Sequence, residues 1–291
     1  MKNFLSFSRL RLRPAFGLLL TLGLLNCTKD PEKILPAPPG TPVTPVLNEA
    51  DRDFAQYTEL AWSDEFDGGQ LDQSKWTYEV KDSWFNNELQ ATTNSPSNLF
   101  LNNGQLNIQA RKENYNGKSY TSARIITKGK KDFGYGRLDV RAKVPKGKGI
   151  WPAIWMLGAN DATVGWPACG EIDIMELRGS TPSVNVSTVH FGTSPTDRKQ
   201  LGTTKTLASG DFSQNFHTFS FIRSKDKMRW YLDGELYYTL TSGQVSPYPF
   251  NNPFYVILNV AVGGDFDGNP DASTTFPQSM QVEYVKFWNA R

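Results

Sequence analysis

Residues 170–177 read GEIDIMEL, with Glu171, Asp173 and Glu176 set among Ile172, Ile174, Met175 and Leu177. The acids are spaced by two and then by three. On a β-strand the side chains alternate faces, so Glu171 and Asp173 share one face. Regular alternation would put Met175 next to them and Glu176 on the opposite side. One extra residue accommodated around Ile174 and Met175 as a β-bulge would return Glu176 to the face of Glu171. Three carboxylates in a row repel one another and raise each other's proton affinity, which costs stability and asks for a use. Cleavage of a glycosidic bond supplies one: it needs a nucleophilic carboxylate and a protonated acid, about 5–5.5 Å apart where configuration is retained. Four regular strand steps span roughly 13 Å between Cα atoms, so the two outer side chains must lean together. Glutamate can reach where aspartate cannot. Asp173 between them can orient one Glu, and its charge keeps another acid protonated near neutral pH. This strand alone leaves two other readings open, a solvated strand face and a calcium cluster.

The elements that would position these acids are strands. GQLNIQA (104–110), GRLDVRAKV (136–144), SVNVSTVHF (183–191), HTFSFIR (217–223) and MQVEYVKFW (280–288) alternate apolar and polar residues with period two. In MRWYLDGELYYTL (228–240), Asp233-Gly234 between aromatic runs signals a hairpin. FYVILNVAV (254–262) is a continuous apolar run, as for a strand buried on both faces. NEADRDFAQYTEL (48–60) reads as a short helix or turn. There is no long helical pattern and no internal repeat. The expected fold is all-β, one β-sandwich of the jelly-roll sort over residues 57–291, with a concave cleft wide enough for a polymer.

Length and composition agree with a globular chain: 291 residues, 38% hydrophobic and 21% charged, with 8 Trp, 11 Tyr and 18 Phe. So many Trp suit stacking on flat ligand faces as well as core packing. The N-terminus reads as a targeting segment over 1–26. Lys2, Arg9, Arg11 and Arg13 precede the apolar AFGLLLTLGLL (15–25), which is too short to span a bilayer. Leu24 stands three residues before Cys27, which resembles a bacterial lipobox, although Asn26 replaces the usual small residue. The TKDPE after Cys27 resembles the tag of surface-displayed lipoproteins of the Bacteroidetes kind. Residues 27–56 then form a linker with six prolines between 31 and 45, semi-rigid and extended. The expected location is the outer membrane, lipid-anchored through Cys27 and facing the outside of the cell. Without the four bases of 1–26, 27 basic residues face 29 acidic ones, which gives no reason to expect nucleic acid. With Cys27 lipidated, Cys169 has no disulfide partner, and two His with one Cys make zinc a poor fit. A Cys–His protease built on Cys169 and His190 lacks any nucleophile elbow.

Around the acids, GIWPAIWMLG (149–158), GWPACGEIDIMELRG (165–179) and STVHFG (187–192) closely resemble glycoside hydrolase family 16. WSDEFDG (62–68), WFNNELQATT (84–93), YTSARI (120–125), FGYGRLDVRAKVP (133–145), FYVILNVAVGG (254–264) and FPQSMQVEYVKF (276–287) extend the resemblance in order along the domain. The Glu-x-Asp-x-x-Glu spacing resembles the laminarinase (endo-β-1,3-glucanase) branch, where other branches typically have one residue fewer. The resemblance implies Glu171 as nucleophile, Glu176 as general acid/base, Asp173 as support for Glu171, and no cofactor for the chemistry. It also implies a β-glucan partner; a monomer is simply the default state.

For binding, the resemblance implies Trp151 and Trp155 as a glucose-stacking platform and Trp166 as a further one, against a reading as core aromatics. Asn87 and Arg124 match residues that contact sugar hydroxyls; the plainer readings are a turn cap and a surface salt bridge. His190 matches a histidine near the acid/base, whereas His217 reads as structural. A structural calcium is implied opposite the cleft, with Glu283 where an Asp is usual and with backbone oxygens from Gly104 and Glu65. Mixed-linkage β-1,3-1,4-glucan is the same-fold alternative, and galactans such as agarose a weaker one. The alternative from another class is a noncatalytic glycan-binding lipoprotein, against which the presence of all three acids argues.

Overall fold

The computed structural model describes residues 49–290. Cys27, the apolar segment and the proline run lie outside the described residues. Two short 3-10 turns, Glu49–Asp51 and Phe54–Gln56, lead into strands β1 (Glu59–Asp64), β2 (Thr77–Tyr78), β3 (Gln90–Thr92), β4 (Leu99–Asn102), β5 (Gln105–Tyr115) and β6 (Lys118–Ser122). Next come β7 (Arg124–Ile126), β8 (Gly136–Lys143), β9 (Ile150–Gly158), the one-turn helix α1 (Asp161–Val164), β10 (Glu171–Leu177), β11 (Val184–Phe191) and β12 (Lys199–Thr206). The chain closes with β13 (His217–Ser224), β14 (Lys227–Leu232), β15 (Glu235–Thr241), β16 (Phe254–Val262) and β17 (Gln278–Asn289).

Seven strands form one sheet in the order β12-β11-β10-β9-β16-β7-β2. The other sheet runs β15-β14-β13-β8-β17-β5-β6-β3, with β1 paired to β17 and β4 to β5. Pairing is antiparallel except between β3 and β6. One hydrophobic cluster fills the space between the sheets. It takes Ile154, Met156, Ile172, Leu177, Val256 and Leu258 from the first sheet and Leu106, Ile108, Val140, Phe221, Trp230 and Val285 from the second.

The periodicities explain this layering. In β16 every residue is buried: Val256, Leu258, Val260 and Val262 join the inner core, while Tyr255 and Ile257 join Ile126 in a second cluster against Trp155 and Leu157. The continuous apolar run therefore marks a strand covered on both faces, as expected. The β14–β15 turn has Asp233 at φ 50° and Gly234 at φ 83°. Two successive left-handed residues are what a two-residue hairpin needs, which accounts for the Asp-Gly pair.

Residues 49–56, assigned to the linker from sequence, pack onto the domain instead. Phe54 sits 4.8 Å from the Tyr231 ring and under the Arg137 guanidinium at 4.2 Å. Arg137 Nη1 donates to the Phe54 carbonyl at 2.8 Å and Arg229 Nη1 to that of Arg52 at 2.7 Å. Tyr57 is fully buried with Ile222 and Tyr231. The proline run masks this boundary because the aromatic anchors begin only after it.

Candidate active site

β10 carries the bulge, and both neighbouring strands show it. Against β9, Asp173 pairs with Trp155 and Met175 with Ile154, so two steps on β10 meet one on β9. Against β11, Asp173 pairs with Thr188 and Glu176 with Val186, three steps against two. Ile174 and Met175 are both buried in the inner core. Two successive side chains thus point inward, and Glu176 returns to the outer face with Glu171. The uneven acid spacing of the sequence is this insertion.

The outer face around the acids is a set of donors. Trp166 Nε1 donates to Glu171 Oε2 at 2.8 Å and Trp151 Nε1 to Glu176 Oε1 at 3.0 Å. His190 is the cross-strand partner of Glu171. Its Nε2 lies 3.3 Å from Asp173 Oδ2 and 3.7 Å from Glu171 Oε1. Asp173 is 3% exposed, and its Oδ2 accepts no hydrogen bond. Burial pushes all three carboxyls up. For Asp173 it acts with the charge of Glu171, and for Glu176 with the charges of Asp173 and then Glu171; both stand well above the usual carboxylate range. Glu171 is raised by burial too, but His190, the Trp166 hydrogen bond, Arg124 and Arg198 all pull against it. It is the acid with the most help toward ionising, while Glu176 is held toward its protonated form.

The remaining predicted residues divide by what they touch. Trp151 and Trp155 share the outer face of β9, as their spacing requires. Each has an occupied ring face: Phe266 stacks on Trp151 at 4.8 Å and the Arg124 guanidinium lies over Trp155 at 4.6 Å. Trp155 Nε1 donates to Asn259 Oδ1 at 2.7 Å. Trp166 is the more open indole, 37% exposed. Arg124 makes a salt bridge with Glu79 at 2.5 Å and is sandwiched between Trp155 and Trp84. It is an ion pair, but one built into the active-site face. Asn87 is exposed, sits at φ 58° and donates to Asp265 Oδ1 at 2.8 Å, so it shapes a turn. His190 lies nearest Glu171 and Asp173, because cross-strand pairing sets it opposite Glu171, and its charge also reaches the acid/base candidate Glu176. His217 pairs with Asp233 at 2.7 Å, a structural contact as read. Cys169 is buried, and burial with the charges of Asp161 and Glu171 pushes its thiol up to about 11, which makes it a poor nucleophile.

Residues 85–286 match the sequence profile of glycosyl hydrolases family 16. The chain belongs to that family. It is 38% identical over 276 residues to a glucan endo-1,3-beta-glucosidase A1 of Niallia circulans, covering 86% of this chain and 39% of that one, so it spans well under half of that relative. A beta-glucanase of Rhodothermus marinus is 39% identical over 267 residues, 84% of this chain and 89% of the relative. The solved catalytic domain of an endo-1,3-beta-glucanase (laminarinase) from Thermotoga petrophila superposes with a TM-score of 0.75 at 41% identity, covering 80% of this chain and 98% of that one. The β-sandwich of this family 16 chain is thus a shared fold.

Some residues of this family 16 site escaped sequence reading. Asn259 was legible in principle, as the one polar residue in FYVILNVAV. Glu88 lies inside the motif that carried Asn87, and burial raises its carboxyl despite Gln90 and Arg124. Arg198, beside His190, comes from a loop with no periodicity to read. The calcium expectation fits poorly. The pairings of β17 with β1 and β5 do bring Glu65, Gly104 and Glu283 to one region. However, Glu283, the one side-chain ligand of the expected set, accepts from Arg141 Nε at 2.5 Å. That carboxylate already has a cation of the chain, which a metal ion would have to displace. Among the described residues, only Glu171, Asp173 and His190 gather three ligating side chains, within 4.8 Å of one another. A cation there would compete with substrate.

The raised proton affinity of Glu176 has a consequence for stability. Its folded-state pKa exceeds that of the unfolded chain, so its contribution is whole below the unfolded value, 4.5, and is lost as pH rises through the folded one. Glu176→Gln should therefore match the wild type in thermal unfolding near pH 4 and exceed it at pH 8. An equal or lower melting temperature at pH 8 would contradict the assigned burial.

Proposed function

We propose that this family 16 chain is a retaining endo-β-glucanase that hydrolyses β-1,3 linkages in laminarin-like glucans. The observation that carries the proposal is the bulge, which puts two glutamates of opposite electrostatic bias on one face of one strand. Glu171, drawn toward ionisation by Trp166, His190 and the nearby arginines, attacks the anomeric carbon. Glu176, held protonated by burial and by its acidic neighbours, gives its proton to the leaving glycosidic oxygen. A glycosyl ester on Glu171 results. Glu176, now a carboxylate, takes a proton from water, which attacks the same carbon and releases Glu171 with net retention. Asp173, when protonated, can donate toward Glu171 and hold it in line, and Trp166 offers an open indole face to a sugar ring. No step needs a metal or cofactor. The β-1,3 linkage follows from the named relatives, and mixed-linkage glucan is the alternative the same site would accept.

Turnover of laminarin, lichenan, barley glucan and agarose, with linkage analysis of the products, tests the substrate. Cleavage at β-1,3 bonds is expected, and activity on agarose alone would reject the proposal. Glu171→Gln should abolish turnover while glucan binding persists, and Glu176→Gln should lower kcat by about 10²–10⁴-fold. Unchanged turnover in Glu171→Gln would remove it as nucleophile.

We also propose that the chain is exported and held at the outer membrane by lipid on Cys27. The basic start, the short apolar segment, Leu24 and the proline run support this. Labelled fatty acid should enter the expressed protein and be lost in Cys27→Ala; equal labelling of both would refute the anchor.

A further inference from the structure

A bulge locally disrupts the strand ladder, and here two side chains donate to backbone carbonyls of β10 beside it. On β11, Thr188 faces Asp173 and Val186 faces Glu176, so Ser187 alone opposes the Ile174–Met175 insertion. Ser187 Oγ donates to the Ile174 carbonyl at 2.9 Å. The preceding carbonyl, of Asp173, accepts from Trp230 Nε1 of the opposite sheet at 3.2 Å. Ser187 and Trp230 are fully buried, so water does not substitute for either bond.

The hydroxyl of Ser187 is itself oriented. It has one proton, which goes to Ile174, so the 2.8 Å contact with the Tyr237 hydroxyl must be donated by tyrosine. Tyr237 in turn accepts from Asn185 Nδ2 at 3.1 Å. Every bond in the run Asn185 to Tyr237 to Ser187 to Ile174 then has one allowed direction. Burial pushes the Tyr237 phenol up to about 12, so its proton stays through the neutral range. Tyr237 lies on β15 of the sheet away from the acids, which ties the bulge to both layers of the sandwich.

We propose that Ser187 and Tyr237, with Asn185 and Trp230, form a lock that fixes the bulge and so sets the separation and tilt of Glu171 and Glu176. They are positioning residues for the reaction. The proposal rests on the glucanase reading, because spacing matters only if the two glutamates act as a pair.

The test compares wild type, Ser187→Ala, Tyr237→Phe and a core control, Ile108→Val on β5, by melting temperature, kcat and KM on soluble β-1,3-glucan, and the pH profile of kcat. A small misplacement of reacting groups can cost up to about a hundredfold. Ser187→Ala should lose about ten- to a hundredfold in kcat with KM within about twofold. Its alkaline limb should move to lower pH, as Glu176 drifts from the charges that hold its proton. Tyr237→Phe should change in the same direction by less, and Ile108→Val should melt earlier with an unaltered profile. Unchanged kcat and pH limbs in the lock variants, or an equal kcat loss in Ile108→Val, would overturn the lock. Should Ser187→Ala not fold, Tyr237→Phe decides alone. A wild type inert on every β-glucan would refute the glucanase reading instead, and a crystal structure of Tyr237→Phe would still judge the lock by whether the bulge and the Glu176 carboxyl move.

Discussion

The active-site face depends on one backbone irregularity, the extra residue in β10. It lets a single strand send Ile174 and Met175 into the core and Glu171, Asp173 and Glu176 outward. Burying the two apolar side chains contributes about 3–6 kcal/mol together. Two orphaned carbonyls would cost about 2–6 kcal/mol, enough to cancel that gain. The bonds from Ser187 and Trp230 guard two carbonyls at the bulge against that cost. Bulge, core and acids form one unit, and a change to any of them is felt by the others.

Electrostatics sets the second constraint. Three neighbouring acids on a half-dry surface would all tend to stay protonated, and a nucleophile must not. The surrounding groups break the symmetry. Glu171 receives an indole N–H, an imidazole and two arginines, whereas Glu176 receives one indole N–H and a weaker pull from the same imidazole, against two acidic neighbours. Two of the tryptophans read as sugar platforms, Trp151 and Trp166, donate to these carboxylates, and Trp155 donates to Asn259.

Much of this was legible in the chain, for identifiable reasons. Period-two alternation marked the strands of both sheets, and the unbroken run at 254–262 marked a strand buried on both faces. The two-then-three spacing of the acids located the bulge, since only an inserted residue reconciles three outward acids with an inward Ile174 and Met175. What stayed hidden was pairing across the sandwich. Nothing local says that Tyr237 reaches Ser187, that Trp230 caps Asp173, or that Arg124 lies between Trp84 and Trp155. These contacts join residues 50 or more positions apart, or sit in a register that only the folded sheet defines. Phe54 fell within the linker because the proline run before it hid where the domain begins. Glu283 was read by position alone, without sight of Arg141 on the neighbouring strand.

Everything proposed for this site turns on Glu171 acting as nucleophile in a pair with Glu176 set by the bulge. The most direct measurement is mass spectrometry of the protein after reaction with a 2-deoxy-2-fluoro-laminaribioside carrying a good leaving group, which slows release of the glycosyl ester. One added disaccharide is expected, on the peptide containing Glu171 and on that residue. A label on Glu176 or elsewhere, or turnover with inverted configuration and no label, would contradict the account.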